Sequence, residues 1–318
     1  MDTPNIISKF KKFRIVFAFL IIFAASFALH YPSLHYYFFQ DDWFVLNWVR
    51  TGNFASFFAF RDDIIYWRPL SMPLFFLFGY SNFGLNPILY HILAFLIFFV
   101  LLISIYYLSK LLLRNSLAAL SITFFYATWP IHFISLSWLS TTSYILMTLF
   151  QVISFASFIL FVNQKKYYFY LFSILSFLLA LLSLEFTLVL PIILIIWGYI
   201  YNKKIYFKYL ALFFVIDIIF VVFRFLIYPL SNQGPYELSL NKMVLNNYLW
   251  YLGWAVNLPE RFKELINQRS IQVSINTLLQ FWKISLPAII FVLLSIKLLI
   301  KSFTKNKKHI IFGFFADL

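Results

Sequence analysis

The sequence contains no cysteine among its 318 residues. This absence excludes disulfide bonds, thiolate catalysis and cysteine-ligated metals. Charged residues are also scarce, at 11% of the chain, whereas 63% of the residues are hydrophobic and the mean hydropathy is +0.86. A soluble fold of this size needs far more polar surface, so the composition predicts an integral membrane protein that has the lipid bilayer as a partner.

Several catalytic motifs are missing as well: the Walker-type phosphate loop, the Rossmann fingerprint, the zincin motif and the nucleophile elbow. The sequence therefore gives no support to a nucleotide-dependent active site on the cytoplasmic side. The formal net charge of +14 does not indicate nucleic acid as a partner, because basic residues in a polytopic membrane protein usually mark its cytoplasmic loops.

The basic residues fall into five clusters, and the intervals between clusters set the predicted topology. The clusters are Lys9 to Arg14, Lys110 with Arg114, Lys165 with Lys166, Lys203 to Lys208, and Lys297 to Lys308. Each interval is long enough to leave the cytoplasmic side and return, since one span takes about 20 residues. Between Arg114 and Lys165, Trp129-Pro130 predicts a break between two spans. We therefore predict a single all-α transmembrane domain over residues 1–318, with about eight transmembrane helices and a cytoplasmic N-terminus.

The predicted spans leave two large loops on the extracytoplasmic side, where nearly all acidic residues then lie. The first span, residues 15–34, is an uncleaved helix, and helical hairpins follow between the basic clusters. A catalytic loop with interfacial helices covers 36–86, and a second loop covers 229–281. Within it, residues 243–258 are predicted as an interfacial helix, although their apolar composition also leaves a span open. Residues 309–315 resemble the start of a ninth span, so we expect a C-terminally truncated chain.

The catalytic loop carries the adjacent carboxylates of Asp41 and Asp42, directly after the first span. One interpretation is structural, with Asp41 capping a helix and Asp42 as a favourable charge in its first turn. Another is chemical, with one carboxylate acting as a general base for an attacking hydroxyl. The pair could instead hold a divalent cation such as Mg²⁺ or Mn²⁺, and the pattern does not separate these roles.

Further polar residues fall on the same predicted side of the membrane. Arg68 precedes Pro69, which suits a helix start, and its planar fork suits a phosphate as well as an interfacial anchor. Asn86-Pro87 predicts the start of the second span, and His91 lies near that start, where a helix N-terminus attracts anions. Glu185 lies at the tip of the second hairpin, and Arg224 lies toward the outer end of the seventh span. Each of these side chains also has a purely structural interpretation.

Taken in order along the chain, these motifs resemble the GT-C superfamily of integral-membrane glycosyltransferases. The likeness is to bacterial relatives of protein O-mannosyltransferases and to the RgtA/B/C/D-like transferases. The motifs are Asp41-Asp42, Tyr66-Trp67-Arg68-Pro69-Leu70, Asn86-Pro87 with Tyr90-His91, Trp129-Pro130-Ile131-His132, Trp138-Leu139-Ser140, Ser183-Leu184-Glu185 with Pro191, and Arg224. They cover roughly the first 230 residues. The sequence departs from the family's pattern at three positions: Leu184, Ile134 and Thr142.

The resemblance implies a polyprenyl-phosphate-linked sugar donor and an extracytoplasmic acceptor hydroxyl on a lipid, glycan or protein. It also implies that Asp41 or Asp42 is the catalytic base or metal ligand. The implied substrate-binding residues are Arg68, His91, His132, Glu185 and Arg224. Two alternatives stay open: a lipid or polysaccharide transporter, and a catalytically inactive paralogue that acts as a membrane partner.

Overall fold

The computed structural model describes residues 3–59, 66–201, 204–227, 242–255 and 275–280, together with a few residues between 282 and 293. By its internal contacts the chain divides into two units, Met1–Leu230 and Ser231–Leu318. The described residues contain helices and no β-strand, which confirms an all-α protein. Most of residues 229–281 and 284–300, and all of 309–315, lie outside the described residues, so the predictions there stay predictions.

The first unit contains ten α-helices among its described residues. They are α1 Thr3–His30, α2 Asp41–Thr51, α3 Phe75–Phe83, α4 Pro87–Leu113, α5 Ser116–Ala127, α6 His132–Ser137, α7 Thr142–Gln164, α8 Tyr167–Leu181, α9 Leu190–Ile200 and α10 Ala211–Val221. Shorter 3₁₀ or π turns occupy Tyr31–His35, Phe54–Phe57, Leu70–Leu74, Leu139–Thr141, Glu185–Val189, Lys204–Leu210 and Val222–Ile227. In the second unit, α11 covers Lys242–Ala255 and α12 covers Ile275–Gln280.

Three segments are long and apolar enough to cross a membrane: Phe13–His35, Pro87–Leu113 and Leu139–Gln164. With 23, 27 and 26 residues, each exceeds the roughly 20 residues that a span needs. The prediction of a membrane protein is therefore supported, whereas the count of eight spans stays a prediction. Helices α5, α8 and α9 are apolar but contain only 12, 15 and 11 residues.

Aromatic contacts show that α1 and α4 run antiparallel. Residue numbers rise along α1 while those of their partners in α4 fall. The ring pairs are Phe19 with Tyr106, Phe23 with Phe99, and Phe27 with Phe95, at centroid distances of 5.2, 4.4 and 5.4 Å. The N-terminal end of α1 consequently lies at the same end of the first unit as the C-terminal end of α4.

Helices α7 and α8 form an antiparallel hairpin that is fixed by a reciprocal pair of serines. The Ser154 hydroxyl donates to the Ser173 carbonyl over 2.8 Å, and the Ser173 hydroxyl donates to the Ser154 carbonyl over 2.7 Å. Both side chains are fully buried. Since small side chains let helices approach closely and their hydroxyls bond across, this pair fixes how α7 and α8 are aligned along their length.

The turns that carry the basic residues meet at one end of the first unit. The Tyr201 hydroxyl after α9 donates to the Leu112 carbonyl at the end of α4 over 3.4 Å. The hydroxyls of Tyr167 and Tyr209 lie 3.3 Å apart beside the turn that contains Lys166. We call this the basic end, and the end that contains Asp42 and Glu185 is called the acidic end.

Residues 36–59 and 66–86 fold into a compact cap on the acidic end. Helix α2, which was predicted as an interfacial helix, packs one of its faces into the protein, with Val45, Leu46 and Val49 buried. Helix α3 follows, and its Gly79 lies against the ring of Tyr90 so closely that a Cβ atom there would clash with the ring. The cap is therefore held on the start of α4, which fixes the position of its polar side chains.

Candidate functional site at the acidic end

Helix α2 begins at Asp41 itself, which corrects the prediction that Asp41 caps the helix. The N-cap position belongs to Gln40, which has a φ of 42° and makes no capping hydrogen bond through its side chain. This left-handed conformation is costly for a residue other than glycine. Asp41 and Asp42 are the first two residues of α2, and successive residues of a helix point about 100° apart, so their carboxylates meet different surroundings.

The carboxylate of Asp42 is fully buried and joins the cap to the start of α7. One oxygen accepts hydrogen bonds from the backbone N–H of Ser140, over 2.7 Å, and from the Ser140 hydroxyl. The other oxygen accepts from the Phe39 N–H over 3.0 Å. Burial raises the pKa of Asp42 above its usual range, although these hydrogen bonds oppose the shift. With its oxygens engaged inside the protein, Asp42 is suited to positioning the loop.

The carboxylate of Asp41 is half-buried and faces the other side of the turn. It accepts a hydrogen bond of 3.0 Å from the Tyr66 hydroxyl. The ring of Tyr66 in turn lies under the guanidinium of Arg68, whose Cζ is 4.7 Å from the ring centroid. A single tyrosine therefore connects Asp41 to an arginine, and Asp41 is the one of the two carboxylates that is open to an incoming group.

Arg68 and Glu185 form a two-pronged ion pair. The Arg68 Nε donates to one carboxylate oxygen over 3.0 Å, and an Nη atom donates to the other over 2.9 Å. Two further hydrogen bonds dock the segments that carry these residues: the Ser71 hydroxyl to the Ser183 carbonyl at 2.6 Å, and the Leu70 N–H to the Leu182 carbonyl at 3.0 Å. The ion pair thus rests on a fixed backbone.

Arg224 completes this group, which we call the arginine cluster: Tyr66, Arg68, Glu185 and Arg224. Arg224 is buried, with 9% exposure, in the turn that continues α10. Its charge acts on both Glu185 and Arg68. Its helix also reaches the cap, because the rings of Phe220 and Trp67 lie 6.1 Å apart. Three predicted residues that are far apart in the sequence are therefore brought together.

His91 was predicted near the phosphate, and its hydrogen bonds go elsewhere. The side chain is fully buried, Nδ1 lies 2.7 Å from the Leu136 carbonyl, and Nε2 lies 3.1 Å from the Tyr36 carbonyl. A neutral imidazole carries one N–H, so it donates to one of these carbonyls at a time, and both ring nitrogens face the backbone rather than the arginine cluster. In this arrangement His91 ties α4 to the cap and to α6.

His132 also lies apart from the arginine cluster, in an aromatic pocket. Its ring is 4.4 Å from that of Tyr126, 4.9 Å from that of Phe98 and 6.3 Å from that of His30. Burial, followed by the neighbouring charge of His30, lowers the pKa of His132 to about 4. His132 is consequently neutral at physiological pH, and the contacts of its ring are those of a packing residue.

The part of the chain that the structure describes shows no preformed set of protein ligands for the suggested divalent cation. Within it, no group of three or more His, Asp and Glu side chains converges in a way that could hold a metal ion. Asp41 and Asp42 turn their oxygens to separate partners. A cation at this site would therefore have Asp41 as its carboxylate ligand, with the rest of its shell supplied by substrate or water.

Sequence reasoning overlooked two partners in this site, Tyr66 and Ser140. Both belong to motifs quoted for the family resemblance, Tyr66-Trp67-Arg68 and Trp138-Leu139-Ser140, yet neither residue is ionised at neutral pH. A search for charged residues therefore passes over them. Their position next to functional motifs was the only available signal.

No protein-family model, no curated protein and no solved structure matches the chain.

Proposed function

We propose that the protein is a membrane glycosyltransferase that transfers a sugar from a polyprenyl-phosphate-linked donor to an extracytoplasmic acceptor hydroxyl on a lipid, glycan or protein. The observation that carries the proposal is the link from a half-buried carboxylate, Asp41, through the ring of Tyr66 to Arg68, with Arg224 adding a second positive charge near Arg68. A base and a positively charged cradle for a leaving phosphate are the two groups that such a displacement requires. The resemblance to GT-C enzymes supports the same reading.

In the proposed reaction, the acceptor oxygen attacks the anomeric carbon of the donor sugar. As the new carbon–oxygen bond forms, the acceptor proton passes to the Asp41 carboxylate. The bond between the anomeric carbon and the phosphate oxygen breaks, and polyprenyl phosphate leaves with the electron pair and one more negative charge. Arg68 and Arg224 stabilise that charge because a guanidinium fork matches phosphate oxygens.

The two carboxylates have separate roles in this proposal. Asp41 reacts, whereas Asp42 positions it by tying the same turn to Ser140. Glu185 orients the arginines in this proposal, and it also orients the sugar or the acceptor. His91 and His132 support the fold around the site, since their ring contacts go to carbonyl groups and aromatic side chains.

The proposed orientation places the N-terminus and the basic end in the cytoplasm of a bacterial cell. Cytoplasmic loops carry an excess of lysine and arginine, and the basic turns share one end of the first unit. The acidic end then faces the extracytoplasmic side. Lipid-linked sugars are available there, while nucleotide sugars are confined to the cytoplasm.

The experiment is sugar transfer by the purified protein in phosphatidylcholine vesicles that contain polyprenyl-phosphate-linked, radiolabelled sugars. We expect label to move to an acceptor extract, with one polyprenyl phosphate released for each sugar transferred. Mass spectrometry of glycoconjugates from cells with and without the protein then identifies the product. Movement of labelled lipid across the bilayer without covalent transfer would instead establish the transporter alternative.

A further inference from the structure

The fork of Arg68 is already occupied by an anion that belongs to the protein. The two carboxylate oxygens of Glu185 lie 3.0 and 2.9 Å from two nitrogens of the guanidinium. Two oxygens of a phosphate group bind an arginine fork with the same two-pronged geometry. Any phosphate that binds Arg68 in this way must therefore compete with Glu185.

We propose that Glu185 is an internal stand-in for the substrate phosphate, which holds the arginine cluster ready and leaves the Arg68 fork when a lipid-linked phosphate arrives. This inference rests on the proposed function, because it concerns the same phosphate. It adds a step to it: the ion pair opens for the donor and closes again after polyprenyl phosphate departs.

The surrounding contacts allow a phosphate to replace Glu185 at Arg68 with movement of the Glu185 side chain alone. Leu184 is fully buried, and the carbonyls of the two residues before Glu185, Ser183 and Leu184, accept hydrogen bonds from the Ser71 and Thr187 hydroxyls. The Glu185 side chain, in contrast, is 33% exposed. Rotation about its own torsions therefore carries the carboxylate toward the open side while the backbone of the tip stays in place.

Arg68 has a second support that does not depend on Glu185. Its guanidinium lies over the Tyr66 ring, 4.7 Å from the centroid, and the adjacent Leu70 N–H is bound to the Leu182 carbonyl. Arg68 therefore stays in position while its anionic partner changes. Stacking of this kind is favourable for a guanidinium and is independent of the anion on its edge.

The charges of the cluster give the direction of the expected effect. Arg68 and Arg224 carry two positive charges and Glu185 one negative charge, so the resting cluster has a net charge of +1. Replacing Glu185 by glutamine removes the competing anion and raises the net charge to +2. The affinity for a phosphate lipid should then rise, by roughly tenfold if the opened pair is worth about 1.4 kcal/mol.

The test measures binding of sugar-free polyprenyl phosphate to the full-length protein in phosphatidylcholine nanodiscs. We expect Glu185→Gln to bind about tenfold more tightly than the wild type, with a steeper dependence on salt. Arg68→Gln should bind at least tenfold more weakly. Thr187→Ala is the matched control, because it perturbs the same tip without changing its charge, and its affinity should stay within about twofold of the wild type.

The outcomes separate this inference from the proposed function. Equal or weaker binding by a folded Glu185→Gln protein overturns the inference, and sugar transfer by the wild type would still support the function. If Glu185→Gln binds polyprenyl phosphate more tightly but the wild type transfers no sugar, the phosphate exchange is supported and the proposed glycosyltransferase function is overturned. If the wild type and all variants fail to bind polyprenyl phosphate, both ideas are wrong.

Discussion

Replacement of Ser140 by alanine tests whether the buried carboxylate of Asp42 holds the cap on the bundle. The Ser140 hydroxyl donates to Asp42, and both side chains are almost completely buried, at 4% and 0% exposure. Ser140→Ala keeps the backbone N–H bond to the same oxygen and removes only the hydroxyl. The structure therefore defines which single interaction is lost.

The expected loss of stability in Ser140→Ala follows from the charge of the Asp42 carboxylate, which accepts the hydrogen bond. A hydrogen bond to a charged group contributes about 1.5–3 kcal/mol, whereas one between neutral groups contributes about 0.5–1.5 kcal/mol. At about 2 °C per kcal/mol for a chain of this size, Ser140→Ala should lower the melting temperature by about 3–6 °C. The matched control is Ser143→Ala, where a buried hydroxyl donates to the neutral Ser140 carbonyl over 3.2 Å. The melting temperature of Ser143→Ala should fall by about 1–3 °C.

The assay is thermal unfolding in detergent at pH 8, followed by the fluorescence of the cap's tryptophans. A loss in Ser140→Ala that is no larger than the loss in Ser143→Ala would refute the reasoning. It would mean that the Asp42 contact stabilises the cap no more than an ordinary neutral hydrogen bond. We also expect slower sugar transfer in Ser140→Ala, because the contact between Ser140 and Asp42 positions the neighbouring Asp41.

Three further predictions concern the cap. Gly79→Ala should lower the melting temperature by at least about 2 °C, because an added methyl group collides with the Tyr90 ring and overpacking costs about 1–3 kcal/mol. Burial raises the pKa of Asp42. The contribution of this carboxyl group to stability is therefore complete below its ordinary pKa of 3.8 and is lost as the pH rises through the raised pKa. Between these two pKa values, the melting temperature of the wild type should fall with rising pH relative to that of Asp42→Asn. Tyr66→Phe should slow sugar transfer about tenfold and leave the affinity for polyprenyl phosphate unchanged. Tyr66→Leu, which also removes the ring, should lower both the transfer rate and that affinity. The transfer rate and the affinity of each variant are the measurements.

The helices and their breaks could be predicted because they depend on local patterns. The Trp129-Pro130 pair predicted a break in the long apolar stretch, and α5 ends at Ala127 just before it. Likewise Asn86-Pro87 predicted the start of α4, and Pro87 is its first residue. Proline chemistry and hydrophobic length act over a few residues, so the sequence alone expresses them.

The partners within the site could not be predicted, because tertiary packing creates them. Arg68 and Glu185 are separated by 117 positions and Asp42 and Ser140 by 98, and nothing in the local sequence selects these pairings. The two adjacent aspartates illustrate the same limit. Successive residues of a helix point about 100° apart, and the packing of α2 alone decides that Asp42 turns toward Ser140 while Asp41 turns toward Tyr66.

The most direct measurement is the single-turnover rate of sugar transfer by Asp41→Asn, with the donor bound to saturation in vesicles. We expect the rate to fall at least about a hundredfold, the usual contribution of a general base, with unchanged thermal stability and unchanged binding of polyprenyl phosphate. Arg50→Gln, an exposed substitution on the same helix α2, is the control and should transfer at the wild-type rate. Transfer by Asp41→Asn at the wild-type rate would contradict the central claim that Asp41 is the reacting carboxylate.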